Sequence, residues 1–182
     1  MSSLQKFHRR TASFGPPPFG FASIGSGNDT VGYWLGDIST NKLVVAPKST
    51  EESLAWGSHG TVRSTVSTTD GLANTNTLYA FGNLLTTGHP AAYYCKTLAT
   101  GGYNTWYLPA KNELNTMYSN KSATPFATVN SFVTSGNYYW SSTEYDSVYA
   151  WIQNMFNGTT YGKYGIVKNG NSYVRAVRRS IS

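Results

Sequence analysis

Residues 139–153 read YWSSTEYDSVYAWIQ, three tyrosines and two tryptophans in fifteen positions with only Glu144 and Asp146 charged. Such a run serves as a core strand, as a stacking platform for a ligand, or as a surface open to change. Alternate residues of a strand face opposite ways. In YAWIQNMF (149–156), Tyr149, Trp151, Gln153 and Met155 therefore share one face, and Ala150, Ile152, Asn154 and Phe156 the other. With Trp151 taken as the core anchor, Tyr149 starts the inward face, and Ile152 and Asn154 look out. Trp140 is likewise expected in the core, its indole N–H needing a partner such as a backbone carbonyl. Glu144, in a charge-poor stretch, is expected to pair with Arg175 or Arg178.

The chain around this run has 182 residues, the size of one domain with an appended arm. Its aromatic share of 15% exceeds its charged share of 12%. Tyr, Ser, Thr, Asn and Gly dominate, a composition shared by adaptable recognition surfaces and by loop-rich β folds. The net charge of +6 raises the question of an anionic partner. Among its fourteen carriers, Lys6, Arg9 and Arg10 gather at one end and Lys163, Lys168, Arg175, Arg178 and Arg179 at the other. Neither group is a continuous basic run, and no aromatic–basic motif accompanies them, so nucleic acid is not an expected partner. Cys95 stands alone, which excludes an internal disulfide. No apolar stretch reaches signal-peptide length or the ~20 residues of a membrane span. The expectation is a chain made in the cytoplasm without membrane insertion.

Residues 1–30 differ from the rest. A basic start, FGPPPFGF at 14–21 and SIGSGND at 23–29 read as an extended arm with a glycine-serine hinge, tying the domain to a neighbour, or as a tail. Beyond it, Val31–Ile38 and Lys42–Ala46 read as strands, the second stopped by Pro47. Residues 56–78 read as a long polar loop with an Asp-Gly turn at 70–71. Two helices are expected next: one beginning at Pro90 and ended by Gly101 and Gly102, and one after Pro109 carrying Leu114, Met117 and Tyr118 at helical spacing. The last fifty residues form short strands with glycine turns. Together these make an α+β domain at 31–182.

Catalytic chemistry is thinly supplied. His8 lies in the arm, His89 precedes the first expected helix as an N-terminal contact, and His59 in WGSHG has no nucleophile elbow near it. An enzyme would need a pocket uniting His59 with Cys95 or Glu144. Cys95 falls on the apolar face of a helix, as a buried thiol does. The carboxylates form no calcium loop and no His/Cys cluster, so neither a metal site nor a cofactor is expected. A weakly bound calcium on Asp70 plus loop carbonyls is the residual option. Glu113 with Lys111 reads as a solvated helix face.

Read as a set, DGLANT (70–75), HPAAYYC (89–95), WYLPAKNELNTMY (106–118), YYWSSTEY (138–145), AWIQNMFNG (150–158) and SYVRAVRR (172–179) resemble the C-terminal domain type of the bacterial collagen-like adhesin Lcl. That domain type also occurs at phage tail-fibre tips and has a C-type-lectin-like fold. The last segment is similar to the variable region of retroelement-diversified proteins. The resemblance implies a fixed frame of Trp140, Ser141, Ser142, Glu144, Ala150, Trp151, Phe156, Gly158, Val174 and Arg175. It implies a changeable set that includes Asp146, Ser147, Val148, Tyr149, Ile152, Asn154, Thr159, Thr160, Tyr161, Tyr164, Ile166 and Asn169. Calcium-bridged sugar binding is not implied, because the cysteine pairs and carboxylate motifs of that lectin type are missing.

The resemblance implies binding rather than catalysis, and Tyr145, Asp146, Tyr149, Ile152, Asn154, Tyr161, Tyr164 and Ile166 form the expected ligand patch. The plainer reading is that these residues fill a surface sheet. The expected ligand is a host surface glycan or protein. Other expected partners are virion or tail proteins held through residues 1–30, in a homo-oligomer with a trimer favoured. The expected location is the virion, or alternatively a bacterial cell surface. A structural alternative is a virion decoration or tail-assembly protein whose domain holds neighbouring subunits.

Overall fold

The run LVVA at 43–46 does not alternate; all four residues are completely buried. A strand apolar on both faces must have core on both sides. Leu43 and Val45 pack into one apolar cluster, with Tyr107, Leu114, Met117, Phe126 and Tyr139. Val44 and Ala46 pack into a second, with Trp56, Trp106, Leu108, Trp140 and Ile152. The same division recurs where Trp106 and Leu108 face one cluster and Tyr107 the other, and where Tyr139 and Trp140 part.

The computed structural model describes residues 20–181. Two sheets form around these clusters. The first joins β1 (Gly27–Asn28), β2 (Gly32–Ile38), β3 (Asn41–Val45) and β9 (Val177–Ile181) in that order, all antiparallel. The second runs β4 (Glu52–Ala55), β8 (Asn171–Val174), β5 (Tyr138–Glu144), β6 (Ala150–Asn154) and β7 (Thr160–Tyr161), with β5 and β8 parallel. Four helices complete the α+β fold: α1 (Gly71–Tyr79), α2 (Pro90–Thr97), α3 (Lys111–Ser119) and α4 (Phe126–Val129). Helix α3 lies against β2, β5 and β6, while α1 contacts α2 and β5.

Several sequence expectations need correction. Asp70-Gly71 is not a loop turn: the Asp70 carboxylate accepts the Ala73 N–H at 3.1 Å and caps α1. The buried face of α1 is Gly71, Asn74, Thr75 and Leu78, helical spacing written mostly in polar residues. Thr75 accepts the Leu108 N–H at 3.0 Å, so burial here is met by hydrogen bonds rather than by hydrophobicity. Glu113 is fully buried rather than solvated; its carboxylate accepts the N–H groups of Ala110 (2.8 Å) and Gly71 (3.2 Å) and the Tyr107 hydroxyl (2.9 Å). A side chain at Gly71 would collide with this carboxylate. Finally, residues 23–29 are no hinge. Gly25 donates to the Trp34 carbonyl at 2.7 Å, and β1 pairs with β2. Most of FGPPPFGF, together with Lys6, His8, Arg9 and Arg10, lies outside the described residues.

Arg175 is 1% exposed and fully occupied. It donates to Glu51 (2.7 Å), to the Ala46 carbonyl (2.9 Å), and to the Asn130 carbonyl (3.0 Å) and side-chain oxygen (2.6 Å). The Tyr139 hydroxyl donates to the same Glu51 oxygen at 2.7 Å. Its carboxylate partner is therefore Glu51, not Glu144. Removing one member of such a pair strands a buried charge. Arg175→Met is expected to cost roughly 3–5 kcal/mol in denaturant unfolding; a loss below about 1 kcal/mol would contradict this account.

Candidate functional site

The β5–β6 hairpin decides which aromatic residues reach the surface. Trp140 pairs with Ile152 and Tyr139 with Gln153. Directly opposed residues of an antiparallel pair share a face. Trp140 is completely buried, its indole N–H donating to the Leu54 carbonyl at 2.9 Å, so Ile152 goes inward with it at 1% exposure. This reverses the expected orientation of β6. Ile152 and Asn154 face in, and Trp151 lies on the outer side, half-buried, with the Lys111 ammonium 3.5 Å above its ring. Trp151 was the wrong anchor because a half-buried tryptophan and a core tryptophan look alike in sequence.

Ile152 is nevertheless part of the surface, as the floor of a hollow. Tyr138, Tyr161, Tyr164, Gly165 and Ile166 enclose about 190 Å³ above it. Tyr138 and Tyr161 meet edge to face at 5.7 Å. Tyr164 is 80% exposed, and its backbone sits in the left-handed region at φ 64°. A bulky residue there is strained, and such strain clusters at sites with a task. A second hollow of about 330 Å³ shares Tyr138 and Ile166 and continues to Ser53, Asn137, Asn171 and Tyr173.

The other expected patch residues lie beside this groove or shape it. Tyr145, 43% exposed, meets Trp151 edge-on at 5.2 Å. Gly162 lies so close to the Tyr145 ring that any Cβ there would overlap it. Asp146 accepts the N–H groups of Val148 and Tyr149, each at 2.7 Å, and closes the β5–β6 turn. Asn154 does the same for Phe156 (2.8 Å) and Asn157 (3.2 Å). Tyr149 is half-buried and bridges to Val167. Ile152, Tyr161, Tyr164 and Ile166 therefore come together, while Asp146 and Asn154 are turn formers. Sequence reasoning missed Tyr138, Ser53 and Asn171. Tyr138 shares the Trp140 side of β5 and could have been found by alternation; Ser53 sits on a strand without an apolar signal.

Glu144 holds the groove's outer loop to the body of the domain. Its carboxylate accepts the N–H groups of Arg63 (2.8 Å) and Ser64 (2.7 Å) and pairs with Lys168 at 2.5 Å, not with Arg175 or Arg178. Lys168 is completely buried and also donates to the Thr61 carbonyl at 2.9 Å. Arg63 donates in turn to Nε2 of His89 at 3.0 Å, and the His89 ring turns inward against Trp56 at 4.8 Å instead of capping α2. Burial, reinforced by the Arg63 charge, lowers the His89 pKa to about 4.

The residues considered for catalysis sit in different surroundings. Cys95 is fully buried, and burial pushes its thiol far up, away from the nucleophilic thiolate. His59 is exposed, whereas Glu144 is fully engaged within the domain. Asp70, the residual calcium candidate, is occupied by its helix cap and by Arg179 at 3.0 Å. Among the described residues, no group of three or more His, Cys, Asp or Glu side chains could hold a metal ion. No helix among them is long and apolar enough to cross a membrane.

Two outcomes follow from this geometry. Glycine takes the left-handed conformation freely, so Tyr164→Gly should raise unfolding stability by up to about 1 kcal/mol while removing the exposed ring; a destabilised variant would contradict the strain. His89 titrates below its ordinary value, so between pH 6.5 and about 4 the unfolded chain binds a proton that the folded chain refuses. Stability should be full above that window and fall with pH through it, by up to about 1.4 kcal/mol per pH unit. Chemical denaturation of His89→Gln across the same range should show a flatter slope.

Comparison with known proteins fits this architecture. A search of curated proteins returns no match. A fimbrial protein from Bacteroides ovatus has a similar structure, with a TM-score of 0.50 and 16% identity over 75% of this chain and 35% of its own. The chain thus spans about a third of that protein's length, and the likeness concerns fold alone. The family described as the Lcl C-terminal domain matches residues 46–178, from the end of β3 into β9. The chain belongs to the Lcl C-terminal domain family.

Proposed function

We propose that this chain is a non-enzymatic receptor-binding or adhesion domain with a C-type-lectin-like fold, and that the tyrosine-lined groove is its contact surface. The observation that carries the reading is Tyr164, 80% exposed and held in a strained backbone conformation at the rim of a hollow. A side chain kept there against both exposure and strain is of use to something outside the chain. Tyrosine offers large contact area with few rotors to freeze, and the surrounding Asn, Ser and Thr adapt their hydrogen bonds. Family membership supports adhesion as the task.

In this reading the ligand is a host-surface glycan or protein. Residues 1–30 attach the domain to a virion or tail structure, or to a bacterial surface, and the assembly is a homo-oligomer with three copies. Retroelement-driven variation of the C-terminal segment would act at the surface on Tyr161, Tyr164 and Ile166, whereas Ile152 and Asn154 of the same changeable set are buried.

One observation favours a second reading. Val62, Val66, Phe81, Leu84 and Leu85 are exposed apolar residues of two loops. Arg63 brings these loops together by covering Phe81 at 3.9 Å and donating to the Thr87 carbonyl at 2.9 Å. A surface of this kind suits a neighbouring subunit, as in a tail-assembly protein.

Flow cytometry with the fluorescent chain on candidate host cells separates the two readings. Tyr161→Ser/Tyr164→Ser should lower cell binding ten-fold or more, with Leu84→Ser/Leu85→Ser near wild type. If only the leucine variant loses function, through failed assembly, the domain is a subunit connector.

A further inference from the structure

We infer that the groove takes a neutral saccharide, a pyranose C–H face lying on Tyr161 and Tyr164 and its hydroxyls directed to the polar end at Ser53 and Asn171. The inference rests on the reading of the groove as the contact surface and adds the chemical class of the ligand.

Three observations carry it. First, the two hollows share Tyr138 and Ile166 and differ in character: one is aromatic and aliphatic, the other bordered by serines and asparagines. A pyranose has the same division, a patch of C–H bonds beside rings of hydroxyls, and a few neutral polar groups next to an apolar wall suffice to orient it. Second, no acidic or basic residue lines either hollow. The basic residues that make the C-terminal segment look cationic are spent inside the fold. Lys168, Arg175 and Arg178 are 0%, 1% and 3% exposed, and Arg179 is paired with Asp70 and Glu113. Lys163, resting 5.0 Å from the Tyr164 ring centre, is an exposed cation beside the groove. An anionic polymer binds through several phosphate- or sulfate-sized contacts and loses affinity steeply with salt; one lysine does not provide that.

Third, the strand beside the hollow is unsuited to a peptide. β7, which carries Tyr161, is one edge of the sheet but spans only Thr160–Tyr161 before the chain turns away, and β4 at the other edge spans only Glu52–Ala55. A bound peptide strand needs a longer row of free backbone groups. The hollow of about 190 Å³ is small and half-open, which fits one sugar ring bound weakly and strengthened by several copies of the domain.

The test is a glycan array carrying neutral oligosaccharides (hexoses, N-acetylhexosamines, 6-deoxyhexoses) and, separately, sulfated and uronate-containing glycans. The multimerised wild-type chain is applied at 50 and 500 mM NaCl, with Tyr161→Ala, Tyr164→Ala and Asn171→Ala in parallel. Binding is expected on neutral glycans, changing less than two-fold with salt. It should fall at least ten-fold in each tyrosine variant and several-fold in Asn171→Ala, with circular dichroism and melting confirming that each is folded. Binding confined to sulfated or uronate glycans and abolished by salt would overturn the inference, as would neutral binding indifferent to the tyrosines. An array dark throughout, while the tyrosine variants still lose cell binding, would remove the saccharide class and leave the contact surface standing. Tyrosine variants that bind cells like wild type would remove the contact surface itself.

Discussion

Glu144 ends β5 inside the protein, where a bare carboxylate would be prohibitively costly. Two backbone N–H groups from Arg63 and Ser64 and the ammonium of Lys168 converge on it. This one group therefore fastens two otherwise irregular segments, residues 57–66 and 162–170, to the central sheet. The first brings Arg63 to His89 and Phe81. The second places Tyr164 and Ile166 over Ile152. Gly57 donates to the Lys168 carbonyl at 3.0 Å, and Lys168 donates to the Val148 carbonyl at 2.9 Å, so backbone bonds close the same junction. The backbone around the groove is thus held from within, and Glu144 does that from beneath.

The same economy explains the charge. A net +6 suggests an electropositive surface, yet three cations near the C-terminus lie within the core. Arg178 donates to the Val31 carbonyl at 2.8 Å and stacks 3.7 Å from the Tyr103 ring. Arg175 gathers Glu51, Asn130 and Ala46 at the junction of the two sheets. Guanidinium groups with several donors in one plane suit such junctions, where loops from distant parts of the chain end on carbonyls. What reaches solvent around the groove is mostly neutral: tyrosine hydroxyls, amides and serines.

Much of the fold was legible because period and punctuation agreed. β2, β3, α2 and α3 carry apolar spacing bounded by Gly or Pro, and each forms near its expected place. Helix α1 was hidden because its inward face is written with Gly71, Asn74 and Thr75, whose burial depends on partners in Ser67 and Leu108 far from any local signal. The partners of Glu144 and Arg175 were hidden for the same reason: Lys168 and Glu51 become neighbours only through sheet order. The groove was half legible. Tyr161, Tyr164, Ile152 and Ile166 stand out by composition and family resemblance, but the inward turn of Ile152 follows from its register with Trp140.

The most direct test of the junction is amide hydrogen exchange in Glu144→Gln against wild type. Loss of the carboxylate charge should open Gly57, Arg63, Ser64, Lys168 and Gly170, whose amides are bonded at or near the junction, while the Ala46 amide, bonded to the Ala176 carbonyl, and the Val177 amide, bonded to the Tyr107 carbonyl, keep their protection. Uniform loss of protection across both sheets, or unchanged exchange at residues 57–64 and 168–170, would contradict the role given to Glu144.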